Sequence, residues 1–437
     1  HAGQRRAHGR VSGGVTRYRE ALAWLYGLES RGIKLGLERI ESAAALRGHP
    51  ERALRCVHIA GTNGKGSVAT MVESVLRAAG YRTGQFASPH LQRYVERVRI
   101  GGRPISEREA AKRIEELRAD ERLPPLSFFE YTTLLAFEAF RDAECDIVVL
   151  EVGLGGRLDS TNIVDPEVSV ITNISFEHQR ILGDTLPKIA REKAGVLKRG
   201  VPCVVGARGT SVRRAISDRA RRVGAPLQWI DRDFGGEWDG RSLTVRVGDE
   251  EWHDLRLGLR GYYQSDNAAC ALAALTELRA RGFEISDDQI RKGLRRAKWP
   301  GRLEWHRGSP AFLFDAAHNA SGCETLAHYL DELSFPGRVV LLFGAMRDKD
   351  HRAMLAAFDG RVDRRVYAAP AMYRSASPKG FAKIHKGTVG RSVRDAVARA
   401  KRAAGADGLV VVAGSIFLVS EARALVKNIR TDPPIAM

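Results

Sequence analysis

No stretch of the chain is apolar for long enough to cross a bilayer, so a membrane-spanning protein is not expected. Cysteine is scarce: Cys56, Cys145, Cys203, Cys270 and Cys323 lie far apart and form no CxxC pair. That excludes a disulfide framework and a zinc-type ligand spacing, and it leaves reduced, buried thiols in a cytoplasmic protein as the expectation. Aromatic residues make up only 7% of the chain and nowhere interleave with a dense basic tract. Acidic residues are outnumbered, 52 against 70 Lys and Arg, for a formal charge of +18. The arginines are spread along the whole length, so nucleic-acid binding is not expected, and the field suits a polyanionic small substrate equally well. The opening HAGQRRAHGRVSGG lacks the apolar core of a secretory signal, and residues 1–17 read as a disordered leader or cloning remnant.

What is present is a β-α-β-α alternation over 437 residues, with no internal repeat and no low-complexity segment. Short apolar runs followed by helical patterns predict a parallel sheet covered on both faces. Candidate strands are 55–60, 82–87, 146–150, 168–172 and 202–205. The texture changes over 228–257, QWIDRDFGGEWDGRSLTVRVGDEEWHDLRL, which predicts a small antiparallel region. A helix is expected over 267–281, and Pro300-Gly301 in KWPGRLEW marks a joint. Beyond it the alternation restarts with FLFDAAHN, RVVLLFGAM, RRVYAAP and LVVVAGSIF. The expected architecture is an α/β protein: a P-loop-containing domain over 18–300 and a smaller Rossmann-like α/β domain over 301–437.

In open parallel sheets, ligands gather beyond the carboxyl ends of the strands. After the first candidate strand come Gly61, Thr62, Asn63, Gly64, Lys65, Gly66 and Ser67, then the helical pattern VATMVESVL. The familiar phosphate loop places four residues between its first glycine and Gly-Lys. Here only two intervene, and Gly66 separates Lys65 from Ser67. The physical parts are nevertheless present: glycines that admit phosphate oxygens to backbone N–H groups, a helix N-terminus, a lysine, and a hydroxyl for a magnesium ion. The second strand ends in Ser88-Pro89-His90, which alone is an ordinary turn opener. The third delivers Glu151 to its end, followed by Arg157 and Asp159. A carboxylate there needs either a metal or an ion-pair partner such as Arg157. The fourth leads to Asn173, Ser175 and His178. Ser, Glu and His at strand ends beside a phosphate loop point to a shared metal–nucleotide site.

GTNGKGS, FASPHL with ERV shortly after, EVGLGGRLDSTNIV, LGDT followed by IAREKAGVLKRG, and WPGRLE before FDAAHN occur in a set that resembles the folylpolyglutamate synthase / dihydrofolate synthase family, a branch of the ATP-dependent Mur-type amide ligases. The resemblance runs from about Tyr18 to Arg423, and the short loop spacing is that family's own. It implies that Lys65 binds phosphate, that Ser88, Glu151 and His178 are magnesium-associated, and that Lys193 is carbamylated and catalytic together with Lys65, Glu151 and His178. It further implies nucleotide contacts from Asn267, Arg302, Asp315 and His318, and pterin-side positions at Ser127, Phe129, Asp159 and Ser160. Ser415, in Gly414-Ser415, is added as a glutamate-site candidate. The chain departs from the family at Glu177, where Asp is more usual, and at Tyr263, where His is common.

The implied reaction is ATP-dependent amide formation between a pteroate or folate carboxylate and L-glutamate through an acyl phosphate. Mg2+ would be the metal, with room for a monovalent cation. The enzyme is expected to be a monomer and either a dihydrofolate synthase, a folylpolyglutamate synthase or both. Two other readings stand beside it: a Mur-type ligase acting on a peptidoglycan precursor, and a P-loop ATP switch or nucleic-acid-binding protein.

Overall fold

The computed structural model describes residues 9–432 apart from residues 33–34. Its larger sheet contains β1 (Cys56–Ala60), β2 (Thr83–Phe86), β3 (Val98–Ile100), β4 (Arg103–Pro104), β5 (Ile147–Glu151), β6 (Val168–Ile171), β7 (Cys203–Val205) and β8 (Leu227–Trp229). The strands lie in the order β4-β3-β2-β5-β1-β6-β7-β8. From β2 to β8 every pairing is parallel, while β3 and β4 are antiparallel additions at one edge.

Alternation explains why the central strands read as unbroken apolar runs. Val57, Ile59, Ile147 and Val149 enter the core beneath helices Lys65–Ala78 and Gln264–Ala280. Cys56, Val148 and Leu150 enter the opposite core, beneath helices Glu107–Ala119 and Phe128–Asp142. Both faces are therefore buried, as a parallel sheet requires.

Two boundaries differ from expectation. A helix runs over Gly9–Gly27, so the leader expected through residue 17 does not extend that far; residues 1–8 lie outside the described residues. The helix is anchored by a stripe, Tyr18, Ala21, Leu22 and Leu25, buried in one core with Ala110, Ile114 and Leu117, and residues 9–17 precede that stripe on the same helix. In the segment 228–257, the first residues belong to β8 of the large sheet. The small antiparallel sheet consists of β9 (Phe234–Trp238), β10 (Leu243–Val247) and β11 (Glu250–Leu255). Parallel pairing of Leu227–Trp229 with β7 extends the large sheet by one strand.

The second sheet comprises β12 (Glu304–His306), β13 (Ala311–Phe314), β14 (Val339–Phe343), β15 (Arg364–Tyr367), β16 (Thr388–Val389) and β17 (Leu409–Ala413), in the order β12-β13-β17-β14-β15-β16. All pairings are parallel except β12–β13.

The second unit is joined to the first at both of its ends. At the joint, Gly301 adopts a φ of 74°, its carbonyl accepts from Ala316 N at 2.8 Å, and its own N–H donates to Glu304 Oε2 at 2.9 Å. At the far end, Asp432 returns to the first unit. Its Oδ2 accepts from Tyr18 Oη and from Tyr94 N, each at 2.7 Å. Arg423 also donates to Gln92 Oε1 across the two units.

Candidate active site

Strands β2, β5, β1 and β6 are neighbours, so their carboxyl ends share one crevice. The loop after β1 is shaped by two glycines. Gly61 has φ 146°, and a Cβ there would lie 1.9 Å from Thr172 Oγ1. Gly64 has φ 86°, and a Cβ would lie 2.3 Å from Asn267 Oδ1. No larger residue fits either place. The segment after β6 ties the loop down. Thr62 N donates to Asn173 O at 2.9 Å, Asn63 N donates to Asn173 Oδ1 at 2.8 Å, and Thr172 Oγ1 donates to Asn63 O at 2.6 Å.

Lys65 opens the helix Lys65–Ala78, and its Nζ donates to the Gly61 and Thr62 carbonyls at 3.1 Å each. Lys193 Nζ reaches the same Gly61 carbonyl at 2.7 Å. Burial, with Lys65 as a second cause, lowers the Lys193 amine to about 7. At neutral pH a large share of Lys193 is thus an uncharged amine, the form that reacts with CO2. Ser67 is buried in the first turn of the same helix.

Glu151, the last residue of β5, is 6% exposed and accepts a 3.4 Å hydrogen bond from Ser88 N. Burial raises its carboxyl pKa, against the pull of Lys65 and Arg302. The alternative partner, Arg157, is not available to it: that side chain pairs with Glu192 at 3.0 Å. His178 has φ 49°, and burial holds its imidazole down to about 4, so it is neutral with a lone pair free for a metal. Among the described residues no group of three or more His, Cys, Asp or Glu is placed to hold a metal. The expected ligand set contains only two such residues, Glu151 and His178. Ser88, phosphate oxygens or a carboxylated Lys193 must complete it, a donor set of oxygens and one nitrogen that suits magnesium. Ser175 Oγ, buried without a partner in the same crevice, adds an unmet polar atom.

The carboxyl ends of the second sheet face this crevice. Asp315, just past β13, is buried and accepts from Leu303 N and Ala317 N at 2.9 Å each, while Arg302 acts on both Asp315 and Glu151. His318 bonds Ala316 O through Nδ1 at 3.0 Å and Glu177 Oε1 through Nε2 at 2.7 Å. Lys349 Nζ approaches the same Glu177 oxygen at 3.5 Å. Burial would raise the Glu177 carboxyl, but the His318 bond, with Lys65 and Lys349, holds it well below its usual range. Asn319 Nδ2 donates to Asn63 Oδ1 at 3.0 Å, linking the second unit directly to the phosphate loop. Asn267 packs on Gly64 and donates to Gln264 Oε1 at 2.9 Å.

The expected substrate-side residues, Ser127, Phe129, Asp159 and Ser160 on the pterin side and Ser415 on the glutamate side, lie in caps, turns and packing contacts. Ser127 caps the helix Phe128–Asp142, accepting from Glu130 N at 3.3 Å in a reciprocal capping box. Asp159 accepts from Leu154 N at 2.8 Å and from Thr161 Oγ1 at 2.6 Å. Ser160 is buried in the short turn Ser160–Ile163, and Ser415 caps the helix Ile416–Lys427 through Leu418 N at 3.2 Å. Phe129 fills the space above Gly153. The polar atoms of Ser127, Asp159 and Ser415 build the loops around the crevice. Sequence reasoning named Asn173 only as a strand-end residue, missed Lys349 and Asn319, and treated Glu177 only as a departure. Asn319 had a signal, since it directly follows His318; Lys349 had none.

Comparison with known proteins agrees with the fold. The Mur ligase middle domain model matches residues 59–275, and the Mur ligase glutamate ligase domain model matches residues 301–416. The chain is 33% identical over 428 residues to a dihydrofolate synthase/folylpolyglutamate synthase of Bacillus subtilis, covering 94% of this chain and 100% of that protein. Its fold superposes on Escherichia coli FolC in complex with DHPP and ADP with a TM-score of 0.86 at 37% identity, covering 93% of this chain and 98% of that one. A bifunctional folylpolyglutamate synthase/dihydrofolate synthase with Mn, AMPPNP and L-glutamate bound gives 0.85 at 36% identity, over 93% and 98% of the two chains.

Proposed function

The chain belongs to the dihydrofolate synthase/folylpolyglutamate synthase family of Mur-type ligases, and from that premise we propose that its crevice joins L-glutamate to the carboxylate of a dihydropteroate or folate acceptor at the expense of ATP. The observation that carries the reading is the meeting of two sets of strand ends over one phosphate loop, with Asn319 bonded to Asn63 and His318 to Glu177. A bare ATP switch has no use for a second α/β unit held there, and the relatives do not favour a peptidoglycan substrate.

A carboxylate does not condense with an amine in water at a useful rate. An acceptor carboxylate oxygen attacks the γ-phosphorus of ATP, the bond to the β-phosphate oxygen breaks, and ADP leaves. The α-amino group of glutamate then attacks the acyl carbon, loses a proton, and expels phosphate to leave the amide. Lys65 and the N–H groups from Gly64 onward hold the phosphates and offset charge that builds on them. Arg302, Asp315 and Asn267 orient the nucleotide from the other side. A divalent ion held by Glu151, His178, Ser88 and a carbamylated Lys193 would supply Lewis-acid neutralisation of the phosphate charge. Apposition of the two units excludes water that would hydrolyse the acyl phosphate.

We read the enzyme as bifunctional, monomeric and cytoplasmic. Five free thiols support the reducing compartment, and among the described residues no helix is long and apolar enough to cross a membrane. The test is phosphate release from Mg-ATP with L-glutamate plus either dihydropteroate or tetrahydrofolate, for the wild type and Lys65→Ala. Release that needs both co-substrates and is lost in the variant is expected. Release that ignores both acceptors would overturn the reading.

A further inference from the structure

With the expected acceptor-side polar groups committed to caps and turns, the acceptor carboxylate lacks a cationic partner among them. Arg97 stands close to the metal end of the crevice. It closes the turn Tyr94–Arg97, is 5% exposed, and forms no ion pair with any described residue. Its Nε donates to His90 Nδ1 at 2.9 Å, which fixes the plane of the guanidinium. Its Cζ lies 5.0 Å from the centroid of Phe128. The carboxylates of Glu151 and Glu29 act on it only through space. A buried guanidinium with no counter-ion is costly unless an anion completes it.

A second, independent observation lies beside it. Tyr26 is 4% exposed, and its hydroxyl is buried with no hydrogen-bond partner. Tyr26 and Arg97 both pack on the Phe128 ring. The Tyr26 ring packs at 5.9 Å from Phe128, 6.4 Å from Tyr94 and 6.5 Å from His90. An unpaired cation and an unpaired phenol thus share one aromatic wall next to Glu151.

We propose that Arg97 and the Tyr26 hydroxyl together bind a substrate carboxylate, with the acceptor's as the one the aromatic surroundings favour. The guanidinium fork accepts a carboxylate through two parallel N–H donors, and the phenol adds a third. His90 acts as a positioning residue through its bond to Arg97 Nε. The inference rests on the ligase reading above. It deepens that reading by naming how the group to be phosphorylated is held.

The test compares Tyr26→Phe and Arg97→Lys with the wild type, measuring KM for dihydropteroate, tetrahydrofolate, L-glutamate and ATP, together with Tm. Dissociation constants for dihydropteroate without ATP complete the set. Tyr26→Phe is expected to keep the fold and the ATP constant while raising acceptor KM and Kd by about tenfold, the scale of a hydrogen bond to a charged group. Arg97→Lys, which keeps the charge but loses the fork, is expected to do at least as much. A rise confined to the L-glutamate KM assigns the carboxylate to the incoming amino acid instead. Acceptor and glutamate constants both unchanged in Tyr26→Phe overturn the proposal, even if Arg97→Lys does not fold. So does a uniform rise in all constants with a fall in Tm, which marks a packing cluster. A wild type without acceptor-dependent phosphate release would instead bring down the ligase reading itself.

Discussion

At the scale of single residues, Lys193 ties pH to chemistry most directly. Its amine sits 2.7 Å from the Gly61 carbonyl, and burial lowers it from 10.5 to about 7. Carbamylation consumes the neutral amine and CO2 and releases a proton, so it is suppressed as pH falls below 7. We expect activity in bicarbonate-depleted buffer to rise on adding bicarbonate, more at pH 8 than at pH 6, with a carbamate signal from 13C-bicarbonate in NMR. No signal and no bicarbonate response would refute the modification. Lys193→Ala is expected to be nearly inactive, with partial rescue by acetate. The unmodified lysine also carries a stability signature. Between about 7 and 10.5 the unfolded chain holds a proton that the folded chain lacks, so this group makes stability rise with pH across that window; the benefit is lost as pH falls through 7. Local patterns made some of these residues legible. Lys65 and Glu151 sit in a glycine turn after a strand and at the end of an apolar run, which the eye can find. The link between Glu177 and His318 spans 141 positions, and no local pattern encodes it.

Among the elements, the phosphate loop is held by its neighbours Thr172 and Asn173 as well as by its own Lys65. Gly64→Ala would place a methyl 2.3 Å from Asn267 Oδ1 at a φ of 86°. We expect a stability loss of roughly 1–3 kcal/mol and a higher KM for ATP, since Asn267 must move. Thermal unfolding with and without ATP checks both; an unchanged Tm would show that the loop relaxes freely. The central strands were readable because burial on both faces makes them continuous apolar runs. The short strands β3, β4, β12 and β16 are two or three residues long, too short for any period to show. The helix Gly9–Gly27 was obscured by its basic, glycine-containing start, although the spacing of Tyr18, Ala21, Leu22 and Leu25 was there to be read.

For the molecule as a whole, Glu177 is one of the links between the two units, receiving His318 at 2.7 Å and Lys349 at 3.5 Å. Glu177→Gln keeps the shape and removes the charge. We expect a larger radius of gyration by X-ray scattering without nucleotide, and a cost of about 1–3 kcal/mol for leaving the His318 and Lys349 side chains underpaired. An unchanged scattering profile would mean that other contacts set the apposition. The way the second unit is attached limits what any such opening can be. It is pinned near Gly301 and again where Asp432 meets Tyr18 and Tyr94. A body fastened at two separated points cannot tumble on a single tether; it can only swing about the line that joins them, like a bucket handle on its pivots. That double attachment narrows the paths by which Asp315, His318 and Asn319 can leave the phosphate loop, and it favours their return to the same register.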